Sequence, residues 1–140
     1  MTSSPIDLSA YTPMSAMAGF NAYVGTMLRH PGKAAGEAAR FAFVPGPQHL
    51  NGGGALHGGF LMTLADNVLG ITANEAAGDR FASTVTLNTD FLAGGTADGP
   101  VLGTAEVTRK TRSLIFVAGE LVQGGRLLMT ASGIWKIIGA

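Results

Sequence analysis

The segment that most constrains this chain is Asn51-Gly52-Gly53-Gly54-Ala55-Leu56-His57-Gly58-Gly59 and the apolar run that follows it without a break. Phe60, Leu61, Leu64, Val68 and Ile71 recur at helical spacing, which predicts a helix from about Gly59 to Ala76, ending near Gly78. The run is apolar nearly all round, as in a helix enclosed by the rest of a fold rather than laid on its surface. Its first half carries one carboxylate, Asp66. An ionisable group in such surroundings is costly unless it is solvated or paired. Asp66 is therefore either paired within the core or placed there for chemistry.

At 140 residues the chain is one domain of ordinary size, long enough for a real core. Charged residues make up only 13% and apolar residues 46%. That charged share is about half the usual one, too little to coat a monomer, and it points to oligomerisation through apolar surface. Net charge is zero, which argues against nucleic acid or an acidic membrane as partner. The absence of cysteine excludes a disulfide framework and thiolate chemistry, and makes the cytoplasm the default compartment. Met1 to Ala10 lack the pattern of a signal peptide. Asp66 and Asn67 interrupt the best candidate for a membrane span, so a soluble protein is expected.

Residues 1–12 read as a loose arm. Met14, Met17, Phe20, Tyr23, Val24, Met27 and Leu28 form an apolar stripe that predicts a helix from Met14 to Leu28, ended by Pro31-Gly32. Such a Met-rich stripe serves as core packing or lines an adaptable acyl pocket. Ala38 to Val44 is a first strand, stopped by Pro45-Gly46-Pro47. After the long helix come four more strands, Ala82–Phe91, Val101–Lys110, Leu114–Val122 and Arg126–Ile138. The Lys110–Ser113 connection and Gly124-Gly125 read as hairpin turns between antiparallel neighbours. In the strand after the helix, Val85, Leu87, Thr89 and Phe91 alternate with Thr84, Thr86, Asn88 and Asp90. The polar row needs solvent, a ligand or a partner subunit.

With these residues in place, the chain resembles the hotdog-fold thioesterases of the phenylacetate-pathway (PaaI-like) type over about residues 35–138. The motif is an Asn six residues before the His of His-Gly-Gly, an acidic residue nine after that His, and then a strand with Ser or Thr. Asn51, His57, Gly58, Gly59 and Asp66 fit it, and Thr84 fits the hydroxyl position with Ser83 its close rival. The resemblance implies an α+β hotdog fold, an antiparallel sheet wrapped around a long central helix. Residues 1–34 would form an N-terminal arm and helix before a hotdog domain of residues 35–140, one structural domain in all. It also implies hydrolysis of acyl-coenzyme A thioesters without metal or redox cofactor, by a dimer with a continuous sheet that often pairs again into a tetramer.

On that resemblance Asp66 is the general base or nucleophile, and burial would suit it to act as a base near neutral pH. Otherwise it caps or pairs within an interface. Gly58 would polarise the thioester carbonyl, because a helix N-terminus offers free N–H groups and the positive end of the dipole. The glycines, Gly59 among them, also suit tight turns. Asn51 is a turn residue by type, and by resemblance positions substrate or the attacking water. His57 and Asp66, nine residues apart, lie about 13 Å apart along a helix, so His57 is read as shaping the loop beside the substrate. His30 and His49 read as surface or loop residues, and no cluster has metal-ligand spacing. Arg109, Lys110 and Arg112 are either a solvated turn or a site for coenzyme A phosphates. Trp135 and Phe116 read as core or interface.

Gly58 and Asp66 are eight residues apart, about 12 Å along an α-helix. If both act on one carbonyl, they come from two chains. Three other readings stand beside the thioesterase: a noncatalytic acyl-thioester binding protein, a hotdog hydratase or dehydratase, and a structural oligomer. No second acid or His near Asp66 in sequence supports the hydratase. The structural oligomer leaves Asp66 and the hydroxyl-bearing strand unexplained.

Overall fold

The computed structural model describes residues 6–14, 18–78 and 80–140. A short strand β1 (Thr12–Pro13) and one helical turn, α1 (Phe20–Val24), lead into β2 (Leu28–Lys33) and β3 (Ala39–Phe43). The long helix α2 (Gly58–Ala76) follows, then β4 (Ala82–Phe91), β5 (Val101–Lys110), β6 (Leu114–Gln123) and β7 (Arg126–Ile137). The strands form one seven-stranded sheet in the order β1-β2-β3-β5-β6-β7-β4, with every neighbouring pair antiparallel. The sheet wraps around α2, which is the hotdog arrangement expected. Strand β4, directly after the helix in sequence, lies at an open edge.

Turn chemistry explains why β5, β6 and β7 run as a meander. Gly124 and Gly125 both have positive φ, 58° and 76°, and join Gln123 to its register partner Arg126. That is the conformation a two-residue hairpin needs for its twist to match the strands. In the β5–β6 connection the Thr111 hydroxyl accepts from the Leu114 N–H at 3.0 Å and closes the turn.

The inner face of the sheet is cut to receive the helix. A Cβ on Gly103 would stand 2.9 Å from Val68 of α2, and one on Gly119 only 2.2 Å from the Thr104 carbonyl and 2.9 Å from Leu69. These glycines let Val68 and Leu69, both buried, press into the sheet. Leu61, Leu64, Ala65 and Ala73 continue that buried face against Phe41, Ile115, Val117, Leu121, Leu128 and Met129. Burial of large apolar side chains contributes about 1.5–3 kcal/mol each, so this seam holds helix to sheet.

Four expectations need correction. The helix predicted from Met14 to Leu28 shrinks to Phe20–Val24, and Leu28 begins a strand. Gly19 and Gly25 have φ of 64° and 137°, which bracket the turn and stop it from propagating. Pro31 and Gly32 lie inside β2, where the pairing with β3 shifts register. Met27 is buried as expected, but Phe20 and Tyr23 are 64% and 87% exposed; Met17 lies outside the described residues.

The second correction concerns α2, which is not enclosed on all sides. The sheet covers one face, and Met62, Asp66, Asn67 and Ile71 remain open to differing degrees. Asp66 is half-buried rather than sunk in the core. Third, β4 does not alternate regularly. Thr84 pairs with Trp135 and Thr86 with Ile134, so Val85 is an extra residue in a bulge and is itself exposed. The bulge changes the strand's phase. Thr84 shares the helix-facing side with Leu87, Thr89 and Phe91, whereas Thr86, Asn88 and Asp90 face the other way.

The histidines give the fourth. His49 is buried, its ring stacked on Phe60 at 4.3 Å and edge-on to Phe43 at 5.3 Å. Its Nδ1 accepts from the Gly46 N–H at 2.9 Å, which leaves the proton on Nε2 to donate to the Val24 carbonyl at 2.7 Å. His49 thereby ties the end of α1 to the core. His30 is in β2, half-buried, and accepts from the Gly32 N–H at 2.8 Å.

Candidate active site

The open face of α2 meets β4 at Asp66. The Thr84 hydroxyl donates to Asp66 Oδ1 at 2.8 Å, while Oδ2 has no protein donor among the described residues. A charge-assisted bond of this kind orients the carboxylate and leaves its second oxygen for another partner. Ser83 pairs with Lys136 on the opposite side of the strand, so the hydroxyl that reaches Asp66 is that of Thr84. Without the bulge at Val85, Thr84 would share its side with Asn88 and Asp90, away from Leu87.

Asp66 and Thr84 border a cleft of about 520 Å³ between α2 and β4. Asn67, Gly70 and Asn74 line it from the helix, Trp135 from β7, and Asn21 from α1. Asn74 is committed to structure. Its amide donates to the Gly70 and Ala82 carbonyls, and its oxygen accepts from the Ala82 N–H, which fixes the start of β4 against the helix.

The other end of α2 is built differently. His57 is the N-cap, its Nδ1 accepting from the Gly59 N–H at 2.8 Å. A Cβ on Gly59 would crowd that ring at 3.0 Å, so glycine belongs to the cap. Gly58 has no such need. Its φ is not positive, and a Cβ there would meet only the Phe91 ring at 3.4 Å, an ordinary contact. The Gly58 N–H has no acceptor among the described residues, whereas the Leu61 N–H already closes the first turn onto the His57 carbonyl. A bare, unspent donor therefore stands at the positive end of the helix.

Asn51 shapes the loop before the cap. Its side-chain oxygen accepts from the Gly53 and Ala55 N–H groups at 2.9 and 3.1 Å. Gly54, at φ 85°, supplies the left-handed residue this loop requires. A second cleft of about 520 Å³ opens beside the cap, lined by His57, Gly59, Phe60, His49, Phe20 and Tyr23 among others. It shares no lining residue with the Asp66 cleft.

The three basic residues do not converge. Lys110 pairs with the buried Ile115 on the helix side of the sheet, and its Nζ donates to the Ala76 carbonyl at 2.7 Å. It caps the negative end of α2. Arg109 pairs with Phe116 on the opposite side, and Arg112 is exposed in the turn. Among the described residues, no three His, Asp or Glu side chains are placed to hold a metal ion. No helix among them is long and apolar enough to cross a membrane. Sequence reading missed the buried place of His49 and the lining role of Trp135, whereas the apolar stripe that holds Phe20 and Tyr23 was one of its candidates for a pocket wall. Trp135 comes from a strand remote in sequence from the motif, and no spacing signals it.

The model of the thioesterase superfamily matches residues 53–130, more than half of the chain. The solved structure of a phenylacetic acid degradation-related protein from Ralstonia eutropha JMP134 is 31% identical, covers 71% of this chain and 76% of its own, and superposes with a TM-score of 0.68. The PaaI protein of the E. coli phenylacetic acid degradation operon is 26% identical, over 74% of either chain, also at 0.68. The BH2602 protein of Bacillus halodurans, solved with CoA, shares the fold at 23% identity, over 71% of this chain and 66% of its own, with a TM-score of 0.67. No functionally curated protein matches this chain in sequence.

Proposed function

Because the chain belongs to the thioesterase superfamily, we propose that it hydrolyses acyl-coenzyme A thioesters to the free acid and coenzyme A. The observation that carries this reading is the Asp66 carboxylate, oriented by Thr84 at 2.8 Å and open to a cleft through its second oxygen. That oxygen either removes a proton from the attacking water or attacks the carbonyl carbon itself. In both routes the C–S bond breaks, the thiolate leaves as coenzyme A, and water supplies the oxygen of the new acid. The Gly58 N–H stabilises the oxyanion that develops on the carbonyl. Coenzyme A is the thiol we assign, in keeping with the CoA held by the B. halodurans protein of the same fold.

In this reading the site is shared between two copies of the chain. Asp66 and Gly58 are about 12 Å apart along one rigid helix, too far to act on one carbonyl. Strand β4 offers an unpaired edge, and Phe81, Val85, Phe91 and Leu92 on or beside it are more than half exposed. Such an edge invites pairing with a second strand. Two copies joined there form the dimer, and a tetramer is its further pairing. Arg109 and Arg112 are the cations assigned to the nucleotide phosphates, with Asn51, His57 and Gly59 beside the substrate.

The test is thiol release from a panel of aryl, short-chain and long-chain acyl-coenzyme A substrates, with Asp66→Asn as control. Turnover should fall at least about 100-fold in the variant while its circular dichroism and molecular mass stay unchanged. A loss of less than about tenfold removes Asp66 from the role of base or nucleophile.

A further inference from the structure

Trp135, the one tryptophan of the chain, is 1% exposed and sits on the inner face of β7 as the register partner of Thr84. Two glycines set its orientation. A Cβ on Gly133 would stand 2.7 Å and 2.8 Å from Cζ3 and Cη2, so the six-membered ring lies over the backbone there. A Cβ on Gly70 would stand 3.3 Å from Nε1, so the N–H edge points at the gap this glycine leaves in α2. Gly70 is one turn beyond Asp66 on the same face, roughly 6 Å along the helix. Trp135, Gly70, Asp66 and Thr84 all border the same cleft.

An indole N–H only donates, and a buried one ordinarily finds an acceptor. This one has none among the described residues, where no side-chain nitrogen is both sealed from solvent and unpartnered. The N–H therefore opens to the cleft. Of the side chains that line the cleft, Asn74 Oδ1 takes the Ala82 N–H and Asp66 Oδ1 takes the Thr84 hydroxyl, and none bonds to this N–H among the described residues. Phenylalanine would fill the same core without placing a donor at the cleft.

We propose that the Trp135 N–H donates to an uncharged oxygen of the bound thioester and so orients the substrate against Asp66. The inference rests on the thioesterase reading above. The acceptor is uncharged because Asp66 is a carboxylate without a cationic partner among the described residues, whereas Glu75 is paired with Arg29 at 2.6 and 2.9 Å. The remaining polar lining among the described residues is amide, hydroxyl and indole, with no lysine or arginine. A phosphate or carboxylate would be repelled there. A carbonyl of the acyl group or of the pantetheine arm is not.

The experiment uses ¹⁵N-labelled protein, in which the single tryptophan gives one indole cross-peak, and a non-hydrolysable thioether analogue of an acyl-coenzyme A. Calorimetry on the same samples gives the occupancy. Saturation should move the indole proton downfield and slow its exchange with water. A shift with coenzyme A alone places the acceptor on the pantetheine arm, and a shift only with the full analogue places it on the acyl side; both support the proposal. Gly70→Ala, which keeps the tryptophan and favours the helix, should remove the shift and weaken the analogue about tenfold. Trp135→Phe should raise KM by a similar factor. Measured binding with an unmoved cross-peak overturns the role of Trp135 and leaves the thioesterase reading intact. No binding of any analogue overturns that reading, and this inference with it.

Discussion

At Asp66 the helix borders a cleft whose polar lining includes hydroxyls, amides and carboxylates; at Gly58, two turns away, it ends in a free N–H beside a more apolar cleft. The first region has an acid and no donor pair for an oxyanion. The second has the donor and no acid. They share no lining residue. The same helix supplies both, and its length keeps them apart. On the proposed function each chain carries two halves of a site, and a second copy would bring unlike halves together.

The largest effect that tests this difference is restoration of activity from two dead proteins. Asp66→Asn and Gly58→Leu subunits, each nearly inactive alone, are mixed and allowed to exchange. A heterodimer with shared sites has one site with both defects and one with neither, so turnover should return to about half the wild-type value per heterodimer. Verified heterodimers without activity would place both groups in one chain. Subunit exchange is checked first by native mass spectrometry.

A smaller effect separates the two regions chemically. Thr84→Val keeps the shape and removes the donor to Asp66, so turnover should fall about tenfold, with KM little changed. An equal fall in binding would assign Thr84 to substrate contact instead. The smallest effect lies outside both regions. Neutralising Arg109 and Arg112 together should raise KM for coenzyme A thioesters several-fold and leave a truncated pantetheine thioester unaffected. Lys110→Gln should act on stability, because that side chain caps the helix at Ala76. Equal penalties on both substrates would dismiss the phosphate role of the arginines.

Much of this was legible in the residues. Strands β4 and β5 run over the stretches expected, and β6 and β7 differ by one residue at their ends. Their long β-favouring runs are separated by Gly and Pro, which leaves few alternatives. Asp66 stood out because a carboxylate in an apolar helix needs a reason. The N-terminal stretch misled because its Met and aromatic spacing is helical, while two positive-φ glycines overrule the spacing. The phase of β4 was hidden for a different reason. A bulge arises from pairing with β7, and nothing in the order of Thr84, Val85 and Thr86 announces it. Gly70 and Gly133 acquire their shared meaning only when Trp135 is seen between them.

The glycines under α2 have a mechanical consequence. Val68 and Leu69 sit in slots at Gly103 and Gly119, so the helix behaves as a keyed shaft: sliding or turning it would drive branched side chains into backbone. Asp66 is two positions from one key and three from the other. Its place relative to Thr84 is thus preset before any substrate arrives, and no energy of binding is needed to assemble that pair. On the proposed function, whatever adjusts to acyl groups of different size must then be a part without keys, and the single turn Phe20–Val24, moored through His49, is such a part.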